Sequence, residues 1–125
     1  MKIAISTTGK TLDTGFDPRF GRAAYFCIVD VDTRATTGHT NPALSAKGGA
    51  GVQAAKFIAD QGVDAVISGS FGPNAFRTLQ AANIATYLAP TKDALLAADL
   101  LEHYKAGQLQ QANAPSHAGH HGGGH

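Results

Sequence analysis

The sequence predicts a three-layer α/β domain in which helices cover both faces of a mixed sheet. Short apolar runs alternate with segments of helical periodicity, in the order β-β-β-α-β-α-β-α. The run over residues 23–32 carries apolar side chains on both of its faces, which is typical of a strand buried between two layers. The chain of 125 residues is long enough for one domain with one core, and 43% of it is hydrophobic.

Five strands are predicted, and they are connected in two different ways. The second and third are separated only by a turn at 32–34, which is too short for a crossover, so one strand of the five-stranded sheet is expected to be antiparallel. The strands that helices separate are expected to be parallel, with right-handed crossovers. The predicted strands are 2–6, 23–32, 35–40, 63–69 and 83–88.

Three helices follow from apolar residues spaced at about 3.6 positions. The first begins after Gly51 and is stopped by Gly62, and the second covers about residues 74–82. The third is predicted to be capped by Thr91 and to end just before Gly107.

The end of the chain differs in composition from the rest. Residues 1–107 are predicted to form the folded domain, whereas 108–125 lose apolar periodicity and are expected to be disordered. Imidazole groups favour copper, nickel or zinc, so a weak metal site is predicted in this tail, although an incidental tail remains the alternative. The histidines concerned are His117, His120, His121 and His125.

Composition and charge argue against several partners and compartments. Ten Lys and Arg against nine Asp and Glu give a formal charge of +1, so neither nucleic acid nor an anionic membrane is an expected partner. The single cysteine excludes an intramolecular disulfide and any site built from clustered cysteines. We expect a cytoplasmic protein, because the N-terminus lacks a signal-peptide pattern and no apolar run approaches the roughly 18 residues of a membrane span.

Three polar, glycine-rich loops are the candidates for a binding site. They cover residues 7–22, 41–51 and 69–74, and each lies at a strand end or before a predicted helix. In an open α/β sheet, ligands bind beyond the carboxyl ends of the parallel strands, so the loops are expected to line one crevice. Helix starts after Gly51 and Gly72 would direct free backbone N–H groups into it, which favours an anion.

The segment 17–23 adds positive side chains to this prediction. Pro18 and Gly21 give the loop a defined shape, and it holds both Arg19 and Arg22. Two guanidinium groups in a shaped loop indicate a held anion, to which Lys47 of the second loop could contribute. The alternative is an ion pair from Asp17 that only stiffens the connection.

Catalysis has little support in the sequence. Residues 7–11 resemble the end of a P-loop, but the earlier glycine is missing because position 4 is Ala4. The first strand has no carboxylates for two-metal cleavage. His39 and His103 are isolated and are expected to be surface residues, while Cys27 is expected to be a small core residue. A binding protein is therefore expected, not an enzyme.

Three motifs together resemble the dinitrogenase iron-molybdenum cofactor biosynthesis family. They are residues 16–23 with the following Tyr25 and Phe26, the loop from Asn41 to residues 49–51, and the stretch 62–75. The resemblance covers residues 1–107 and implies an RNase H-like fold without nuclease residues. It also implies a carrier or scaffold for an anionic molybdenum–sulfur cluster.

For a small stand-alone domain, the resemblance implies a molybdenum–copper sulfide cluster held without covalent ligation. Backbone N–H groups, the two arginines and an apolar wall of phenylalanine would hold such a polyanion. An iron-molybdenum cofactor carrier and an interaction module that binds an ATPase or a cofactor-assembly protein are the alternatives. The residues predicted to form the site are Arg19, Phe20, Gly21, Arg22, Lys47, Gly49, Ala50, Gly51, Ser70, Phe71, Gly72 and Asn74.

Overall fold

The computed structural model describes residues 1–90 and 95–115, which form a six-stranded sheet with helices on both faces. None of the helices in these ranges is long and apolar enough to cross a membrane. The strands are β1 (Lys2–Thr7), β2 (Tyr25–Asp30), β3 (Thr36–Thr40), β4 (Ala65–Ser68), β5 (Ala85–Leu88) and β6 (Gln110–Gln111). The helices are α1 (Ala50–Asp60), α2 (Pro73–Ala81) and α3 (Ala97–Lys105), and a short 3₁₀ turn covers Phe20–Arg22.

The strand order is β3-β2-β1-β4-β5-β6. β1, β4 and β5 are parallel, whereas β2 is antiparallel to both of its neighbours and β6 is antiparallel to β5. The predicted α/β class with its three-layer, RNase H-like arrangement is confirmed, with six strands where five were predicted. The carboxyl ends of β1 and β4 lie side by side, so the loops that follow these strands meet at one edge of the sheet.

The sixth strand lies in the segment that the sequence predicted to be disordered from residue 108. Gln110 and Gln111 pair with Leu88 and Tyr87 of β5. Ala112 is buried beyond them, and its N–H donates to the Thr86 carbonyl at 2.8 Å. Two glutamines show no apolar alternation that would predict a strand. The pairing follows instead from the edge of β5, whose backbone groups would otherwise be unpaired. The four predicted tail histidines lie outside the described residues.

Side chains alternate between two cores along the strands. On one face Phe26 and Val66 pack against α1 and α2. On the other face Ile3, Ile5 and Ile67 pack against α3. This is the pattern expected of strands covered on both sides.

The last helix begins later than the sequence predicted. Leu96 has extended backbone angles (φ −88°, ψ 156°), and its N–H donates to the Asp99 carboxylate at 2.9 Å, so α3 starts at Ala97. Asp99, the third residue of the helix, therefore satisfies the N–H of the residue that precedes it, whereas Thr91 was predicted to act as the capping residue itself. Thr91 itself lies outside the described residues.

A candidate anion-binding crevice

A crevice of about 410 Å³ lies beyond the carboxyl ends of β1 and β4. Three segments that are far apart in the chain meet there, namely residues 19–22, 49–52 and 70–75. The predicted site residues that line it are Arg19, Phe20, Gly21, Arg22, Gly49, Ala50, Gly51, Ser70, Gly72 and Asn74, whereas Val52, Pro73 and Ala75 line it without having been predicted.

The loop that leads into the first of these segments, at Asp17 and Pro18, is anchored to β1 and to the residue after β4. The Asp17 N–H donates to the Ser6 carbonyl at 3.0 Å, and the Ser6 hydroxyl donates back to the Asp17 carbonyl at 2.6 Å. The Gly69 N–H donates to the Pro18 carbonyl at 3.1 Å. A Cβ on Gly69 would stand 2.5 Å from the Pro18 Cβ, so a glycine is required for this contact. The loop is therefore held rigidly where it enters the crevice.

Asp17 and Arg19 form an ion pair at the edge of the crevice. The Arg19 Nε and Nη2 groups donate to the two Asp17 carboxylate oxygens, each at 3.0 Å, and the Arg19 backbone N–H donates to Oδ1 at 3.0 Å. The Asp17 carboxylate raises the pKa of Arg19 through these hydrogen bonds and through its charge. Only two of the five guanidinium N–H groups contact Asp17, so others remain to meet a ligand.

Asn41 positions the 3₁₀ turn, a role that the sequence analysis did not assign to it. Its side chain is buried, and its Nδ2 donates to the Gly21 carbonyl at 3.2 Å and to the Ala23 carbonyl at 2.9 Å. Its Oδ1 accepts the Ala43 N–H at 2.9 Å. A polar residue just after a strand and before Pro42 was the available signal, but it reads as an ordinary turn.

Both helices that begin at the crevice have uncapped N-termini. In the described part of the chain, neither start has a side-chain cap, and neither helix has an acidic residue in its first turn. Gly49 precedes α1 with a left-handed backbone (φ 69°), and Gly72 precedes α2. The first N–H groups of a helix have no partner within it, so both starts carry donors and partial positive charge at the crevice. In α2 the donors begin at Asn74, because Pro73 at the first position has no N–H.

Two glycines allow the three segments to come this close. A Cβ on Gly21 would stand 3.0 Å from both the Cα and the N of Gly51. A Cβ on Gly51 would in turn stand 3.2 Å from the Ala75 Cβ. The 3₁₀ turn, the start of α1 and the start of α2 therefore pack with almost no side chain between them.

The glycine at position 72 is not required by close packing of the kind seen at Gly21 and Gly51. Its backbone angles (φ −66°, ψ 167°) suit any residue, and no described heavy atom lies within 4 Å of the Cβ it lacks. Neither backbone strain nor packing of the described chain therefore requires a glycine here. Gly72 lines the crevice, so the space that its side chain leaves open is available to a ligand.

Two predicted site residues lie elsewhere. Phe71 is fully buried in the core, where its ring centroid lies 5.3 Å from that of Phe20. Phe20, which is 3% exposed, is the one aromatic residue among the described lining residues, and Val52 and Pro73 add apolar surface. Phe71 instead supports Phe20 from behind. Lys47 is exposed and does not line the crevice. It lies one residue beyond Ala46, whose carbonyl accepts a hydrogen bond from Arg22 at 3.3 Å.

Charge and donor chemistry suit an anion. Among the described residues that line the crevice there are two arginines and no carboxylates. Residues 1–90 and 95–115 hold no group of His, Cys, Asp and Glu arranged to bind a metal ion. Cys27 is buried against the Gly9 carbonyl and Thr7, and burial raises the pKa of its thiol. The crevice can therefore hold a polyanion by N–H donors and charge, without a protein atom bound to the metal.

Comparison with known families identifies the class of protein that this fold and crevice define. The sequence profile of the family described as dinitrogenase iron-molybdenum cofactor matches residues 1–107, and the chain belongs to this family. Membership supports a non-catalytic binding role related to that cofactor. An uncharacterised protein of Methanocaldococcus jannaschii is 32% identical over 94 residues, which are 73% of this chain and 76% of the relative.

Two solved structures extend the comparison to nearly the whole chain. The apo form of the orange protein from Desulfovibrio gigas is similar with a TM-score of 0.87 and 35% identity, over 93% of this chain and 96% of that one. A putative NifB protein from Thermotoga is similar with a TM-score of 0.78 and 26% identity, over 93% of this chain and 97% of that one.

Proposed function

We propose that this protein is a non-catalytic carrier for an anionic molybdenum-containing metal–sulfur cluster, of the molybdenum–copper sulfide type. The cluster is cargo, held non-covalently in the crevice. Arg19 and Arg22 neutralise its charge, and the N–H groups at the starts of α1 and α2 donate to its sulfur atoms. Val52 and the exposed edge of Phe20 supply an apolar contact.

The observation that carries this proposal is the convergence of two uncapped helix N-termini and two arginines on one crevice. Each helix start is equivalent to about half a positive charge, so the cavity has a positive potential that favours an anion and disfavours a cation. The open space at Gly72 lets a ligand approach the backbone closely. The lack of a suitable metal-ligand group in the described residues fits a cluster that brings its own sulfide ligands.

Reconstitution tests the proposal. The apo protein is mixed with thiomolybdate and a copper salt and then passed through gel filtration, and molybdenum and copper in the protein peak are measured. The proposal expects a visible charge-transfer band and a fixed molybdenum-to-copper ratio that persist through the column. Loss of both metals on the column, at ordinary ionic strength, would refute it.

The name of the family favours one rival, a carrier of the complete iron-molybdenum cofactor in nitrogenase assembly. That cofactor is also an anionic metal–sulfur cluster, so the same crevice would receive it. The two proposals differ in the metal retained. Incubation with isolated iron-molybdenum cofactor would leave iron and molybdenum on the protein under the rival, and copper would not improve the retention of molybdenum.

A further inference from the structure

A second, shallower groove of about 350 Å³ runs along the outer surface of α1 and α2. Its lining residues are Val52, Asn74, Arg77, Thr78 and Ala81. Val52 and Asn74 also line the crevice, so the two cavities share a wall and open on the same face of the molecule.

This face is basic although the chain is nearly neutral. Arg77 is exposed at the groove, and its Nη2 donates to the Asn74 Oδ1 at 2.8 Å. Arg19 and Arg22 follow in the adjoining crevice. Among the described residues, no carboxylate lines either cavity.

Several carboxylates are engaged elsewhere on the molecule. Asp64 accepts the Lys2 backbone N–H at 3.1 Å, at the end of β1 opposite the crevice. Glu102 on α3 forms an ion pair with Arg34. Among the described residues, the two cavities are lined by three arginines and no carboxylate, and Asp17, which pairs with Arg19, is the acidic residue at the edge of the crevice.

We propose that this groove docks a protein partner through an acidic segment that carries an apolar side chain. The exposed guanidinium of Arg77 complements a carboxylate, and the side chains of Val52 and Ala81 complement an aliphatic residue such as leucine between carboxylates. Nucleic acid is a poorer match, because its affinity comes mainly from several phosphate contacts at once, whereas the groove contributes one cation. The inference concerns the partner, and it does not depend on which anion the crevice holds.

Docking at this place has a consequence for transfer. A partner seated on Arg77 and Ala81 lies beside Asn74, at the wall shared with the crevice. Cargo can then pass between the two proteins over a short path, without release into solution. Electrostatic attraction of this kind mainly speeds association, so binding should weaken as salt is raised.

The test uses a synthetic nonapeptide with a central leucine flanked by four glutamates on each side. Its binding to the full chain is followed by the amide shifts of a ¹⁵N-labelled sample, at low salt and again at about physiological ionic strength. The expected result is a set of shifts centred on Arg77, Thr78 and Ala81 that disappears as salt is added. Shifts centred elsewhere, or tighter binding of a single-stranded oligonucleotide at the same residues, would overturn the proposal.

Matched variants at Ala81 separate charge from shape. Ala81 is exposed and does not line the crevice. Ala81→Glu should weaken binding of the peptide roughly fivefold or more, because it places a like charge in the groove, whereas Ala81→Lys should bind at least as tightly as the wild type. Equal affinities of the two variants would overturn the proposal. Molybdenum retention should be the same in both variants. The two proposals can also fail separately: a wild-type protein that binds the peptide but no molybdenum would refute the proposed cargo and leave the docking surface unaffected.

Discussion

The Asp17 carboxylate is buried, with 5% of its side chain exposed, while the Arg19 side chain that it binds is 64% exposed. The acid is fixed inside the loop, and the base extends from it to the crevice. Both readings of this segment from the sequence are thus compatible: Asp17 stiffens the loop, and Arg19 still presents positive charge to a ligand.

The substitution Asp17→Asn should lower the free energy of unfolding by about 1 kcal/mol, a figure reduced from that of a buried charged hydrogen bond because Arg19 is largely in solvent. Urea unfolding measures it. Asp13→Asn is the matched control, since Asp13 is exposed in the same loop. Equal effects of the two substitutions would show that the pair does not stabilise the loop.

The substitution Gly72→Ala should abolish retention of molybdenum without loss of stability. The added methyl group stands at a residue that lines the crevice, and no described heavy atom lies within 4 Å of it. We expect it to occupy space that the cluster needs. Fewer unfolded conformations should leave the variant as stable as the wild type or more stable, by up to about 0.4–1 kcal/mol. Gly48→Ala is the control, because a Cβ there also meets no described atom but lies outside the crevice lining. If Gly72→Ala retains as much molybdenum as Gly48→Ala, the cluster does not approach the start of α2.

Cys27 should play no part in holding the cluster. Burial raises the pKa of its thiol, so at neutral pH the thiol is protonated and unreactive. The native protein should react with a thiol reagent such as iodoacetamide far more slowly than the urea-unfolded protein, and Cys27→Ala should retain the same amount of molybdenum as the wild type. Molybdenum lost in this variant, with its fold intact, would indicate direct ligation.

Asp30 should contribute to the loss of stability in acid. Backbone N–H groups of Thr33 and Asp32 donate to its carboxylate and hold its pKa below the usual 3.8. A carboxyl group whose pKa is lowered by folding stabilises the native state above its unfolded pKa, and the contribution is lost as the pH falls through the folded value. In Asp30→Asn the midpoint temperature of thermal unfolding should therefore fall less than in the wild type as the pH is lowered from about 5 to about 2. Parallel pH profiles would contradict this.

The sequence predicted the layers of the fold and most of the crevice, because both depend on local signals. Apolar alternation identified the central strands, and the glycine clusters marked the loops that follow them. The convergence of Gly21 on Gly51 is a contact between distant segments, and it was predictable only through the expectation that the loop after the first strand and the loop before the first helix line one crevice.

The features that sequence reasoning missed depend on tertiary contacts. β6 consists of two glutamines whose pairing is provided by β5. Phe71 is adjacent in sequence to crevice residues, but its side chain turns into the core, and Lys47 extends into solvent. Asn41 acts through buried hydrogen bonds to Gly21 and Ala23, which no spacing in the sequence reveals. That the crevice residues bind a cluster stays a prediction.

The most direct test of that prediction is the molybdenum content of Arg19→Gln/Arg22→Gln after reconstitution and gel filtration. The control is Lys2→Gln/Lys105→Gln, which removes the same two positive charges away from the crevice. Thermal unfolding verifies that both are folded. We expect the arginine variant to lose nearly all of its molybdenum and the lysine variant to retain the wild-type amount. Equal retention by the two variants would contradict it.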